Sequence, residues 1–204
     1  MSPPEAESSV ASQAPARVVA IAASAGGLAA LTHVLSSLPA DFAAPIVVLQ
    51  HLTPDHRSFM AEILSRSVSL AVEPARHGER ITAGRIYVAP PGRHLLVGAD
   101  GVLALSDTER VQFVRPAADV LFHSLAESLG PRAVAVVLTG TGKDGADGVR
   151  EIHRRGGTVI VQDEASSQFF GMPDASIKTG MVDRVLPLDE IAPALVALTR
   201  GGER

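Results

Sequence analysis

From Arg17 onward, short aliphatic runs alternate with longer stretches in which apolar residues return every three or four positions. Val18-Val19-Ala20-Ile21-Ala22 is apolar throughout, the pattern of a strand buried on both faces. Leu28 to Leu38 has the spacing of an aliphatic helix. Ile46-Val47-Val48-Leu49 predicts a second strand, Ala133 to Leu138 a third and Thr158-Val159-Ile160-Val161 a fourth. A helix is predicted between the last two, beginning near Asp144 and ending at Gly156-Gly157. Val185-Leu186 sits in a short final strand, and a last helix runs from near Asp189 to just before Gly201-Gly202. Strands and helices in alternation predict an α/β fold: a doubly wound, mostly parallel sheet with helices on both faces.

The middle of the chain breaks this rhythm. Arg85-Ile86-Tyr87-Val88-Ala89 runs into Pro90-Pro91. Leu95-Leu96-Val97, the turn Gly98-Ala99-Asp100-Gly101, and Val102-Leu103-Ala104-Leu105 predict an inserted antiparallel β-hairpin. Ser2 to Ala16 is rich in Ser, Pro and Ala and has no period, so residues 1–16 are expected to form a disordered tail or linker. Residues 17–204 are then one folded domain.

Composition narrows the chemistry. The 204 residues are 46% hydrophobic and 20% charged but only 3% aromatic, so the core is built from Val, Leu, Ile and Ala. A formal net charge of −4 gives no electrostatic case for nucleic acid or an anionic membrane as partner. The absence of cysteine excludes disulfides, thiolate catalysis and Cys-ligated metals, and fits a reducing compartment. No apolar run approaches the ~20 residues that span a bilayer, and Met1 to Arg17 lacks a signal-peptide core. A cytoplasmic location without membrane insertion is expected.

Three loops carry candidate chemistry, each at the carboxyl end of a predicted strand. Ala22-Ala23-Ser24-Ala25-Gly26-Gly27 joins the first strand to the first helix. Ser24 there has an exposed hydroxyl beside free amide groups and the positive helix end, an arrangement suited to a nucleophile with an oxyanion site. The same serine can instead be a helix N-cap. A dinucleotide loop is a weaker rival, because the first glycine of that fingerprint is missing and no acid ends the second strand. Gln50-His51 follows the second strand and brings a histidine to the same edge. A lone histidine at a strand end is commonly structural, and the other six stand in weaker places. His33 and His153 fall in helices, His56, His77 and His94 in polar loops, and His123 on a helix beside Phe122. Thr139-Gly140-Thr141-Gly142-Lys143-Asp144-Gly145 is the third loop. It lacks the Gly-Lys-Ser/Thr ending of a phosphate-binding P-loop, and Asp144 on its own can be a helix cap. Together the three loops offer a nucleophile, a base and an acid that orients the base. The chain order Ser, His, Asp differs from that of α/β-hydrolases.

Ala23-Ser24-Ala25-Gly26-Gly27, Gln50-His51, Arg115-Pro116 with Asp119-Val120-Leu121-Phe122, Thr139-Gly140 with Asp144-Gly145, and Gly171-Met172-Pro173 follow one another in one order. In this the chain resembles the catalytic domain of the bacterial chemotaxis protein-glutamate methylesterases, from about Arg17 to about Leu198. The resemblance implies a doubly wound sheet with an antiparallel hairpin and a catalytic triad of Ser24, His51 and Asp144. It implies backbone amides near Ala25 and Thr141 as the oxyanion site, and neither metal nor cofactor. Two positions depart from the family pattern. Ala25 stands where the family usually has Thr, and Thr141 where it usually has Met.

The implied activity is hydrolysis of glutamate γ-methyl esters on the cytoplasmic helical region of methyl-accepting chemoreceptors, with release of methanol. Some family members also deamidate receptor glutamines. Family members usually carry an N-terminal receiver domain, so a separate regulatory protein is a further expected partner if the chain stands alone. Ala25 motivates a rival reading as a non-catalytic docking module, and the two Gly-rich loops a weaker one as a nucleotide-binding domain.

Overall fold

The computed structural model describes residues 17–51 and 58–200. The 1–16 tail, His56 and the Gly201-Gly202 helix stop lie outside the described residues. The chain runs through β1 (Val18–Ala23), α1 (Gly27–Ser36), β2 (Ile46–Gln50), α2 (Met60–Ser65), β3 (Ala71–Pro74), β4 (Arg85–Val88), β5 (His94–Val97) and β6 (Leu103–Ser106). It continues through α3 (Ala118–Leu129), β7 (Ala133–Val137), α4 (Ala146–Arg154), β8 (Thr158–Gln162), α5 (Gly171–Ile177), β9 (Arg184–Leu186) and α6 (Leu188–Arg200).

Seven strands form one parallel sheet in the order β3-β4-β2-β1-β7-β8-β9. Every residue of β1, β2 and β7 is buried, which explains why those segments read as unbroken aliphatic runs. Alternate side chains feed two cores. Val19, Ile21, Ile46, Val48, Val134 and Val136 pack under α1, α2 and α6. Ala20, Val47, Leu49, Ala135 and Val137 face α3, α4, Met172 of α5 and the hairpin residues Leu95, Val97 and Leu103. Each fully buried Val, Ile or Leu contributes about 1.5–3 kcal/mol, so the central strands are a rigid platform. The winding direction reverses between β1 and β7, and open α/β sheets bind ligands at the carboxyl ends of strands flanking such a point.

The predicted doubly wound sheet with helices on both faces is present, and the hairpin forms a separate antiparallel pair, β5 with β6. Arg85–Val88 pairs parallel with β2 and β3, so the main sheet continues through the middle of the chain. Three elements escaped the pattern reading. The helix α2 has only six residues, β3 is half exposed, and α5 opens on glycine with proline at its third position. The expectation for His94 is corrected: it stands in β5 and is fully buried, with Nε2 2.9 Å from Glu109 O and Nδ1 accepting the Ala117 N–H at 3.2 Å. The polar residues around it suggest a loop, but its ring bonds two backbone groups, the buried Ala117 N–H and the Glu109 carbonyl.

Candidate active site

Ser24 leaves β1 in a tight turn. Its N–H donates to Thr139 O at 3.0 Å, and its carbonyl accepts the Gly27 N–H at 2.9 Å and the Gln50 Nε2 at 2.6 Å. The cap position of α1 is Gly26, at φ 75°, with no side-chain cap bond, so Ser24 is not the cap residue of that helix. A left-handed residue is needed here, and glycine adopts it without steric cost. A side chain on Gly27 would also collide with Gln50 Oε1 and with Ala23 Cβ. The turn is therefore compressed between β1 and the end of β2, with the half-buried Ser24 hydroxyl beside the N-terminus of α1. Among the described residues no hydrogen bond is made by the Ser24 hydroxyl or by the N–H groups of Ala25, Gly26 and Thr141.

His51 follows β2, whose register is extended by the His51 N–H donating to Ala23 O at 3.1 Å. Its ring Nε2 lies 2.7 Å from Asp144 Oδ2, and only 12% of its side chain is exposed. Asp144 is 4% exposed. Its Oδ2 also accepts the Ala118 N–H at 2.6 Å, and its Oδ1 accepts the Asp119 N–H at 3.0 Å. Asp144 thus caps α3 and not the following helix, which corrects the simpler cap expectation.

A cavity of about 1030 Å³ opens at this edge. Ser24, Ala25, Gly26, Gln50 and His51 line it, and it continues along α1 past Leu28, Ala29 and Thr32 towards Ser36, with Ile63 of α2 on its wall. Of the five residues picked out from the sequence, Ser24, Ala25 and His51 line the cavity, and Asp144 is bonded to His51 behind it. Thr141 is not among the lining residues. It follows Gly140, on which an added Cβ would lie 2.8 Å from Ser24 Cβ and 2.5 Å from Met172 Sδ. Met172 is fully buried, and its N–H donates to Gly140 O at 2.8 Å. The Gly171-Met172-Pro173 segment is therefore the floor beneath the 139–145 loop.

Two residues that the sequence offered only as parts of motifs organise the site. Gln50 clamps the Ser24 carbonyl. Asp119 is 5% exposed; its Oδ1 accepts N–H groups from Gly145 (2.9 Å), Asp147 (3.0 Å) and Gly148 (2.9 Å), and its Oδ2 accepts Gln112 Nε2 at 2.7 Å. Burial first, then the charges of Asp144 and Asp147, push its carboxyl above the ordinary value, against the lowering effect of the Gly148 and Gly145 amides. An acid in the first turn of a helix is ordinary dipole chemistry, so no local signal marks Asp119 in the sequence. No cluster of His, Cys, Asp and Glu suited to a metal ion occurs among the described residues.

Comparison with known proteins gives one consistent result. The family model for CheB methylesterase matches residues 19–195. A protein-glutamate methylesterase/protein-glutamine glutaminase of Anaeromyxobacter dehalogenans is 49% identical over 192 residues, covering 92% of this chain and 56% of that protein. The protein-glutamate methylesterase FrzG of Myxococcus xanthus is 43% identical over 194 residues, covering 95% of this chain and 58% of that protein. This chain therefore spans a little over half the length of these relatives. The crystal structure of the Thermotoga maritima CheB methylesterase catalytic domain superposes with a TM-score of 0.86 at 37% identity, covering 89% of this chain and 98% of that domain. On its sequence, its fold and the extent of the match, the chain belongs to the CheB methylesterase family.

Proposed function

We propose that residues 17–204 act as a protein-glutamate methylesterase, with Ser24 as nucleophile, His51 as general base and Asp144 as the residue that orients it. The observation that carries this reading is His51, which lines the cavity beside Ser24 while its Nε2 is bonded to the buried Asp144. With Nε2–H donated to Asp144, the lone pair of Nδ1 is left to take the Ser24 proton. The absence of a Ser24–His51 hydrogen bond fits a free enzyme, because such bonds commonly tighten only when substrate binds.

Ser24 Oγ attacks the ester carbonyl as its proton passes to His51. The tetrahedral oxyanion is held by free amides near Ala25 and Thr141, helped by the positive end of α1. His51 returns the proton to the departing methoxide, so methanol leaves and an acyl-Ser24 remains. His51 then activates water, which hydrolyses the acyl group to the free glutamate and regenerates Ser24. The same steps accept a primary amide, with ammonia leaving. That is the glutaminase activity in the name of the Anaeromyxobacter relative.

The substrate is taken to be the methylated cytoplasmic region of chemoreceptors. No helix among the described residues is long and apolar enough to cross a membrane. The test is methanol release from receptor membranes carrying labelled methyl esters. Release by the wild-type chain above the uncatalysed rate is expected; none, from receptors that a known methylesterase demethylates, would end the proposal.

A further inference from the structure

The mechanism above leaves one buried carboxylate at the site without a task. Asp119 and Asp144 are tied crosswise. The backbone N–H of Asp119 donates to Asp144 Oδ1, and the N–H of Gly145, next to Asp144, donates to Asp119 Oδ1. Each carboxylate thereby satisfies amides that the other's helix leaves unpaired: Asp144 those of α3, Asp119 those of α4. Gly145 and Gly148 are packed so closely on α3 that an added Cβ would lie 3.3 Å from Ala118 Cβ in the first case and 2.5 Å from Phe122 Cβ in the second. The backbone that carries Asp144 is therefore pinned on both sides, by Asp119 and by Phe122.

On its outer oxygen Asp119 receives Gln112 Nε2 at 2.7 Å. Gln112 and Phe113 both have left-handed backbone conformations, at φ 50° and 70°, which L side chains rarely adopt. The turn is closed by reciprocal hydrogen bonds between Val111 and Val114, and Phe113 at its tip is 94% exposed. Burial of Phe113 does not explain the strained turn, whereas the bond to Asp119 uses it.

We infer that Asp119, tethered by Gln112, is a positioning residue for the reaction: it fixes the backbone at 144–148 so that the Asp144 carboxylate meets both the α3 amides and His51. This rests on the esterase reading of the site. A carboxylate suits the role because all four of its partners are donors. Asparagine can keep the three backbone bonds on its oxygen if the Gln112 amide turns over to face its NH2 group. A plain helix cap would affect stability alone; a positioning residue affects turnover of the folded enzyme.

The experiment uses the full chain and two readouts, the kinetics of methanol release and the low-field imidazole proton that His51 shares with Asp144. Asp119→Ala lowers kcat about tenfold or more with KM within about twofold, and broadens or shifts the His51 resonance, whereas Asp119→Asn stays close to wild type. Should Asp119→Ala fail to fold, Gln112→Glu in the exposed turn carries the test. It sets a second carboxylate against Asp119 and lowers kcat about threefold or more, and adding Asp119→Asn restores it. Folded Asp119→Ala with wild-type kcat and an unshifted resonance overturns the inference. So does Gln112→Glu at wild-type kcat, or a loss that Asp119→Asn does not repair. If the wild type releases no methanol the esterase reading fails, and the His51 resonance across the same variants still decides the role of Asp119.

Discussion

His51 Nε2 and Asp144 Oδ2 stand 2.7 Å apart, and the same aspartate oxygen receives the Ala118 N–H at 2.6 Å. One atom therefore serves both the histidine and the first turn of α3. In Asp144→Asn the amide group must face at least one of the donors His51, Ala118 and Asp119. If it displaces the His51 bond, the ring loses the tautomer that the mechanism needs, and turnover falls by orders of magnitude. If it faces the backbone instead, a buried N–H is left without an acceptor, at a cost of about 1–3 kcal/mol. Methanol release and urea denaturation on one preparation separate the two. Wild-type values in both would contradict this account of Asp144.

Gly140 has no room for a side chain. Gly140→Ala places a Cβ against Ser24 Cβ and Met172 Sδ, at 2.8 and 2.5 Å before relaxation. Overpacking of this kind costs about 1–3 kcal/mol, and here the strain falls on the nucleophile. Turnover is expected to drop more than stability does, by about tenfold or more. Thermal denaturation alongside kcat checks this; a loss of stability with kcat unchanged would show that Ser24 tolerates displacement.

Ala25 lines the cavity, and its carbonyl lies 3.1 Å from Thr139 Oγ1. Ala25→Thr adds a hydroxyl that can reach the histidine or the substrate. A neutral hydrogen bond is worth about 0.5–1.5 kcal/mol, so turnover is expected to stay level or rise about tenfold at most. Steady-state kinetics check this, and a folded but inactive variant would show that the pocket requires the smaller residue.

Glu151 on α4 receives Arg155 Nε at 2.6 Å, and Arg154 through Nε at 2.9 Å and its terminal nitrogen at 2.5 Å. The Arg155 and then the Arg154 hydrogen bonds hold its carboxyl below the ordinary value of 4.5. A carboxyl with a depressed folded pKa contributes stability that is complete above its unfolded pKa and is lost as pH falls through the folded one. Glu151→Gln should therefore be less stable than wild type near neutral pH and indistinguishable in strong acid. Denaturant midpoints across pH measure this; a constant difference would deny the ion pairs their role.

Much of the fold is legible in the sequence because β1, β2 and β7 are buried on both faces and leave no position for a polar residue. Ser24 and His51 are legible as candidates for the same reason: each directly follows such a strand, where polarity returns abruptly, and Asp144 stands further out, in the Gly-rich loop that leaves β7. His94 is not legible in this way, because its polarity serves backbone groups, the buried Ala117 N–H among them, from inside a strand. The role of Asp119 was hidden because it depends on a crossing of two helix starts that are adjacent in space and 25 or more residues apart in the chain. No local pattern encodes that crossing.

The central claim is that Ser24 and His51 act as one catalytic unit. The most direct measurement is methanol release from methylated receptor by wild type, Ser24→Ala, His51→Ala and the double variant, each shown to be folded by circular dichroism. Residues that act together lose their function once, so the double variant should be about as inactive as either single one. Wild-type turnover by Ser24→Ala, or losses that multiply in the double variant, would contradict it.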